Sequence, residues 1–241
     1  MVKHLLLRGM IAGVLSALLA VLFVRVFGEP AIDLAIAFEQ SHEAHAGMAA
    51  MGGGPEIVSR STQAGIGLLT AVGMYGAAIG GIFALVFSFA YGRIGRIAPR
   101  NLALLLALAG FVAIALIPAL KYPSTPPAVG KHETVAFRTA AYFGMILLSV
   151  VCLAFSANMA IALRKKHGTL NAVLVMAGIY VVTVFVAGWF MPGINEVPTD
   201  FPAIVLWDFR VSSIGMQAVL WTVLGISFGL LAEPVLRNAR P

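Results

Sequence analysis

The sequence predicts an all-α, polytopic membrane protein with six transmembrane helices arranged as three hairpins and both termini cytoplasmic. Three observations carry this. Hydrophobic residues make up 60% of the 241-residue chain and charged residues only 11%, whereas a typical soluble domain is ~45–50% apolar even with glycine counted. Six apolar runs recur, at residues 5–27, 64–91, 102–120, 139–163, 170–190 and 211–231, and each is close to the ~20 residues that cross a bilayer core. The connectors between them alternate in charge. Little sequence lies outside the runs, so one integral membrane domain over residues 1–241 is expected.

The charge alternation sets the orientation. Lys3, Arg8, Arg93, Arg96, Arg100, Arg164, Lys165, Lys166, Arg237 and Arg240 occupy the N-terminus, the second and fourth connectors and the C-terminus. These are ten of the sixteen basic residues, and basic connectors stay in the cytoplasm. The other three connectors carry nine of the ten acids, with only Glu233 on the basic side. The formal charge of +6 therefore reports topology and gives no ground for a nucleic-acid partner. The single cysteine, Cys152, lies inside a span and is read as a small packing residue.

Span one begins after Lys3 and superficially resembles a signal peptide, but its apolar run continues to Phe27 without a convincing cleavage site, so a retained helix is expected. Gly9, Gly13, Ser16, Ala17 and Ala20 recur at spacings of three and four, which marks a face for close helix contact. The first outer connector, residues 28–63, opens with Glu29-Pro30, a helix-start signature, and predicts a partly apolar surface helix. Span two contains Gly76 and Gly80 as a GxxxG pair. Polar residues at membrane depth are few: Thr70, Tyr75, Asn158 and Gln217. No Asp, Glu, Lys or His lies mid-span, so the sequence offers no intramembrane proton relay.

Two connectors are too specialised for plain linkers. Residues 191–210, MPGINEVPTDFPAIVLWDFR, and residues 118–138, PALKYPSTPPAVGKHETVAFR, both begin with Pro at a span end, carry further prolines and close on Phe-Arg. Proline fixes φ and lacks an N–H, so both are expected to be stiff, shaped loops. A weak threefold pattern accompanies them. Pro30, Pro118 and Pro192 close the outgoing spans; Arg60, Arg138 and Arg210 open the returning ones, each closely preceded by an acid (Glu56, Glu133 and Asp208). A triplicated fold would place three Arg–acid pairs on one outer rim. The aromatic residues Tyr122, Trp189, Trp207 and Trp221 read as interface anchors.

Ligand-type residues cluster on the acidic side. His42 and His45 stand three apart with Glu39 and Glu43 beside them, a set of nitrogen and oxygen donors suited to Co²⁺, Ni²⁺ or Zn²⁺; a solvated helix face is the plain alternative. A zincin motif needs histidines four apart, so a metalloprotease is set aside. Asn195, Glu196 and Asp200 offer oxygen on the stiff third loop, with capping and pairing as the alternative. Glu196 has no Lys or Arg within ten residues along the chain, which leaves its carboxylate unneutralised as far as sequence neighbours go. His132 and Glu133 are lesser candidates, and Lys131 and Arg138 are the cations expected to neutralise Glu133.

The stretch at residues 58–95, VSRSTQAGIGLLTAVGMYGAAIGGIFALVFSFAYGRIG, then PALKYPSTPPAVG with ET and RTAAYF beyond it, then MPGINEVPTDFPAIVLWDFR, resembles the CbtA family across nearly the whole chain. That resemblance implies the membrane subunit of a bacterial cobalt transporter tied to cobalamin synthesis. It further implies a small single-span partner with a His-rich tail, CbtB, in the cytoplasmic membrane. Co²⁺ or Ni²⁺ is then the transported ion, with no permanently bound cofactor.

Two function classes follow. The chain is either a transport subunit or a non-transporting receptor, scaffold or assembly factor whose outer loops bind a partner. The lack of mid-span charge favours the second, unless the path is hydrated or completed by the partner. An enzyme is not expected: the sequence shows no P-loop and no nucleophile–base set at one depth.

Overall fold

The computed structural model describes residues 2–45, 59, 62–95 and 97–237; for residues 42–45, 63 and 64 it describes the backbone alone. Seven helices form among them: α1 Val2–Phe27, α2 Glu29–His45, α3 Leu68–Ala90, α4 Pro99–Lys121, α5 Val135–His167, α6 Thr169–Phe190 and α7 Ala203–Arg237. No strand forms among the described residues. Six helices, all but α2, are long and apolar enough to cross a membrane. The described residues divide into two compact units. The first takes Met1–Leu108, Thr125–Val129 and Pro198–Pro241; the second takes Ala109–Ser124 and Gly130–Val197.

In the first unit the small-residue face of α1 meets the glycine face of α3. Gly9, Ala12, Gly13, Ser16, Ala17 and Ala20 are all buried. A Cβ on Gly13 would land on the Gly76 carbonyl, and one on Gly80 would land on the Gly9 carbonyl. The two backbones therefore touch directly, which the GxxxG spacing foretells. On its far side α1 packs along α7, where Phe23 covers Gly215. Deeper along α7, Phe228 is buried edge-on to Phe83 and Phe87 of α3, with ring centroids 5.3 and 5.0 Å away. Gly225 and Gly229 of α7 let the start of α4 approach at Ala107 and Arg100.

Polar groups in this unit bond at helix breaks. Pro234 lies inside α7; without an N–H it leaves the helix short of a bond on the preceding turn. The Arg8 guanidinium donates to the Leu231 carbonyl in that turn. Arg100 and Glu233, both half-exposed, pair at 3.2 Å. At the other end of α1, the Ser212 hydroxyl donates to the Phe27 carbonyl at 2.8 Å, which supplies one of the partners a helix C-terminus lacks. The expected surface helix is α2. It starts at Glu29-Pro30, buries Ala31 and Ala35, and sets Phe38 edge-on to Phe201 at 4.9 Å.

In the second unit α5 and α6 pack against each other and against the end of α4. α6 is apolar on every side. Its buried stripe, Ala172, Met176, Tyr180, Val184 and Gly188, recurs every fourth residue, while Val175, Val182 and Phe185 are exposed as lipid-facing residues. Met145, Ser149 and Cys152 of α5 meet that stripe. The Ser149 hydroxyl and Tyr180 phenol, both buried, share a 2.7 Å hydrogen bond across the helices. The end of α4 is not regular. Residues Phe111–Leu116 form a π-helical segment in which the Ile117 N–H reaches the Val112 carbonyl. Pro118 follows and donates nothing to the helix, so the widened turn re-registers the ladder just before it.

Two apolar runs underestimate their helices. α7 begins at Ala203, so Trp207, Asp208, Phe209 and Arg210 are helical rather than part of a loop. α5 begins at Val135, so Arg138 is helical too. Two of the aromatic residues read as interface anchors are packing residues: Trp221 is 5% exposed and Tyr122 9%. Trp189 and Trp207 are exposed, as anchors should be.

The direct α1–α3 contact makes a prediction. Gly13→Ala should destabilise the protein by about 1–3 kcal/mol, because neither backbone has a rotamer with which to yield. Gly73→Ala, where nothing lies within 4 Å of the added carbon, should not destabilise it. Reversible unfolding in mixed micelles reads both; equal stability of the two variants would refute the contact.

Candidate functional site

The two proline-rich loops named from sequence come together in the second unit through Glu196. α6 ends at Phe190, and the chain then runs without regular structure through Asn195 and Glu196. The other loop leaves α4 at Lys121, turns, and re-enters helix through a 3₁₀ turn, His132–Thr134. Tyr122 makes the first link. Its phenol donates to the Pro192 carbonyl at 2.9 Å, and proline carbonyls in loops need such donors.

Glu196 makes the second. Its Oε2 accepts the Lys131 backbone N–H at 2.7 Å and lies 3.5 Å from Arg138 Nε. The second distance is an ionic contact rather than a well-formed hydrogen bond. Arg138 comes from the first turn of α5 and also reaches the Lys131 carbonyl at 3.4 Å, which the Thr134 hydroxyl approaches at 3.0 Å. Lys131 thus has both backbone groups engaged. Gly130 makes room for this. Its φ is +113°, in the region that favours glycine, and a Cβ there would fall on the Arg138 guanidinium.

The Glu196 carboxyl is held below the ordinary carboxylate range by the Thr134 hydroxyl first, then by the Lys131 N–H and the charges of Arg138 and Lys131. The carboxylate that sequence neighbours leave unneutralised is therefore paired, by residues far upstream. Arg138, expected beside Glu133, faces Glu196 instead, and Glu133 is exposed. Asn195 and His132 are exposed on either side of the clasp. Together these groups form a closed, charge-balanced tie flanked by open donors, an arrangement that shapes a loop surface.

The remaining candidates do not join it. Asp200 and Asp208 belong to the first unit and are exposed, and Arg210 has its Nε buried without a hydrogen-bond partner. Glu39 is exposed on α2. His42, Glu43 and His45 are helical, but their side chains lie outside the described residues, as does Arg60. Among the described residues, no three His, Cys, Asp or Glu side chains converge as a metal site. Asn158 is exposed and donates to its own helix at the Ala154 carbonyl, 2.8 Å away. Thr70 and Tyr75 are exposed and Gln217 is half-buried. The clasp was hidden from sequence reasoning by its separation. Its only advance signal was the pairing of two stiff loops that each end on Phe-Arg.

Six apolar helices with the polar residues gathered at their ends define a multi-pass membrane protein. The chain belongs to the CbtA family, described as a probable cobalt transporter subunit, whose family model matches residues 2–233. No curated protein and no solved structure matches it.

The clasp has a defined pH dependence. A carboxyl whose folded pKa lies below its ordinary 4.5 stabilises the tie fully above that value and loses it as pH falls through the lowered one. Spin labels at His132 and Asn195 should give a narrow distance distribution at pH 7 that broadens on acidification below the ordinary glutamate range. Gly130→Ala and Glu196→Gln should broaden it already at neutral pH. A distribution unchanged by both variants would remove Glu196 from the role of clasp.

Proposed function

We propose that this chain is the membrane-embedded subunit of a cobalt uptake system in the bacterial cytoplasmic membrane, working with a small His-rich CbtB-like subunit. The observation that carries this reading is the family match over residues 2–233 on a chain with six spanning helices. The acidic connectors face outward in this reading, on the strength of the Lys/Arg asymmetry.

Capture of the ion belongs to the outer loops. His42 and His45, with Glu39 or Glu43, supply imidazole and carboxylate donors on α2, and such donors suit Co²⁺ and Ni²⁺. Asn195 and Asp200 add oxygen on the third loop, with His132 and Glu133 across from Asn195 in the second unit. Acidic groups at an opening raise the local cation concentration without forming the path. Glu196 acts here through shape: its tie to Lys131 and Arg138 holds the two loops of the second unit in one arrangement, and Arg138 keeps the carboxylate from trapping the ion. A divalent ion that sheds water must find replacement ligands within the membrane. Polar side chains at that depth are few in either unit, so this reading assigns most of the path to the partner.

Uptake of radiolabelled cobalt and nickel tests the reading, in a cell lacking its own importers, with the chain alone and with the small partner. Cobalt should accumulate when both are present. No metal-dependent difference in either case sinks the transport reading. Orientation is checked separately: a cysteine replacing His132 should react with an impermeant thiol reagent added outside, and one replacing Lys166 should not. The reverse pattern would invert the topology.

A further inference from the structure

The second unit carries a groove that the cobalt reading does not use. It has a volume of about 280 Å³ and is walled by Ile117 of α4, Met145 of α5, and Val184 and Gly188 of α6. Its lining is apolar except at the helix ends, where Lys121 and Trp189 stand together. We infer that this groove holds one acyl chain of an anionic phospholipid, with the Lys121 ammonium on the headgroup phosphate.

Four observations support a lipid as the occupant. The groove opens on a membrane-spanning helix that is apolar on every side, so the medium that reaches it is hydrocarbon. Gly188 gives it width. A Cβ at that position meets only the Met145 methyl, at 3.5 Å, so the wall there is low because the side chain is missing. Trp189 is 84% exposed, and an exposed tryptophan at a helix end sits at headgroup level. The last observation is electrostatic. The Lys121 ammonium lies 5.8 Å from the Tyr122 ring centroid, and that ring is itself fixed by the bond from its hydroxyl to Pro192. A cation over an aromatic face is drawn to it, which keeps the ammonium at the rim instead of free in solvent. Among the described residues, no carboxylate lies within ion-pair distance of Lys121. An apolar slot with one positioned cation at its rim is complementary to a chain ending in a phosphate. A zwitterionic lipid offers the same phosphate with a compensating cation, so the fit favours an anionic headgroup.

The volume suits part of a single chain and is too small for a whole lipid, being at the lower limit of the ~300–1,000 Å³ of small-ligand pockets. Affinity therefore rests on the headgroup contact as much as on the slot, and the charge of Lys121 is the part to remove.

Trp189 reports the occupant directly. The full chain carrying Trp207→Phe is reconstituted in phosphatidylcholine vesicles with a small fraction of brominated phosphatidylglycerol or brominated phosphatidylcholine. Bromine quenches a neighbouring indole, and buried Trp221 adds a constant background. The anionic lipid should quench Trp189 at a lower mole fraction than the zwitterionic one. Lys121→Gln should reduce that preference about fivefold, the factor one basic residue contributes near anionic headgroups. Lys121→Arg should retain it, and Gly188→Leu should reduce quenching by both lipids by filling the slot. Equal quenching by the two lipids, or a preference unaffected by Lys121→Gln, overturns the inference. So does a Trp189 shielded from both lipids together with cross-linking between copies through a cysteine at Phe185, since another helix would then fill the groove.

Discussion

Inside a bilayer a backbone carbonyl or N–H has no water to turn to, and each one left unbonded costs several kcal/mol. The described structure depends on that constraint most visibly where its helices are imperfect. Pro118 cannot donate, and a π-helical turn precedes it so that Ile117 bonds Val112. Pro234 interrupts α7, and Arg8 from another helix reaches the Leu231 carbonyl, next to the Leu230 carbonyl that Pro234 leaves without an N–H. Where α1 stops, Ser212 covers the Phe27 carbonyl. In the loops of the second unit, Tyr122 and Glu196 meet the Pro192 carbonyl and the Lys131 N–H. Of the polar side chains that look functional in the sequence, Glu196, Arg138 and Asn158 are engaged with backbone groups in this way.

The same constraint explains how much could be read in advance. Six spans and the close-packing faces of α1 and α3 were legible because both are local patterns, run length and small residues at spacings of three and four, whereas the pairing of those two faces came only with the structure. Helix ends were less so. α7 starts eight residues before its apolar run, since Trp207, Asp208 and Arg210 can continue a helix beyond the hydrocarbon, where polarity no longer reports on secondary structure. Trp221 shows the opposite error. Aromatic composition suggests an interface anchor, whereas its position on the buried side of α7 makes it a packing residue. The clasp was legible only as a pair of similar stiff loops; its contact was not, because Glu196 and Lys131 are 65 residues apart and no local rule links them.

That missed contact changes the electrostatic account of these loops. A lone carboxylate beside a membrane is a cation ligand waiting for its ion. A carboxylate already held by an N–H and beside a guanidinium has its charge offset, and a divalent ion would have to compete with Arg138 for it. The exposed Asn195 and His132 lie beside it, and the Asn195 Oδ1 accepts only a long contact from the Val197 N–H, at 3.5 Å. In this arrangement the charge pair ties the two loops together, and under the proposed function the exposed donors beside it are the ones left to meet the metal.

The central claim is that Glu196 serves cobalt uptake through Arg138 and not as a ligand. A double-mutant cycle on uptake separates the two: Glu196→Gln, Arg138→Gln and the pair together, each at matched membrane protein level. The clasp predicts that both single variants lose uptake and that the double variant is no worse than either. Normal or raised uptake in Arg138→Gln, with loss confined to Glu196→Gln, would contradict it and return Glu196 to the role of metal ligand.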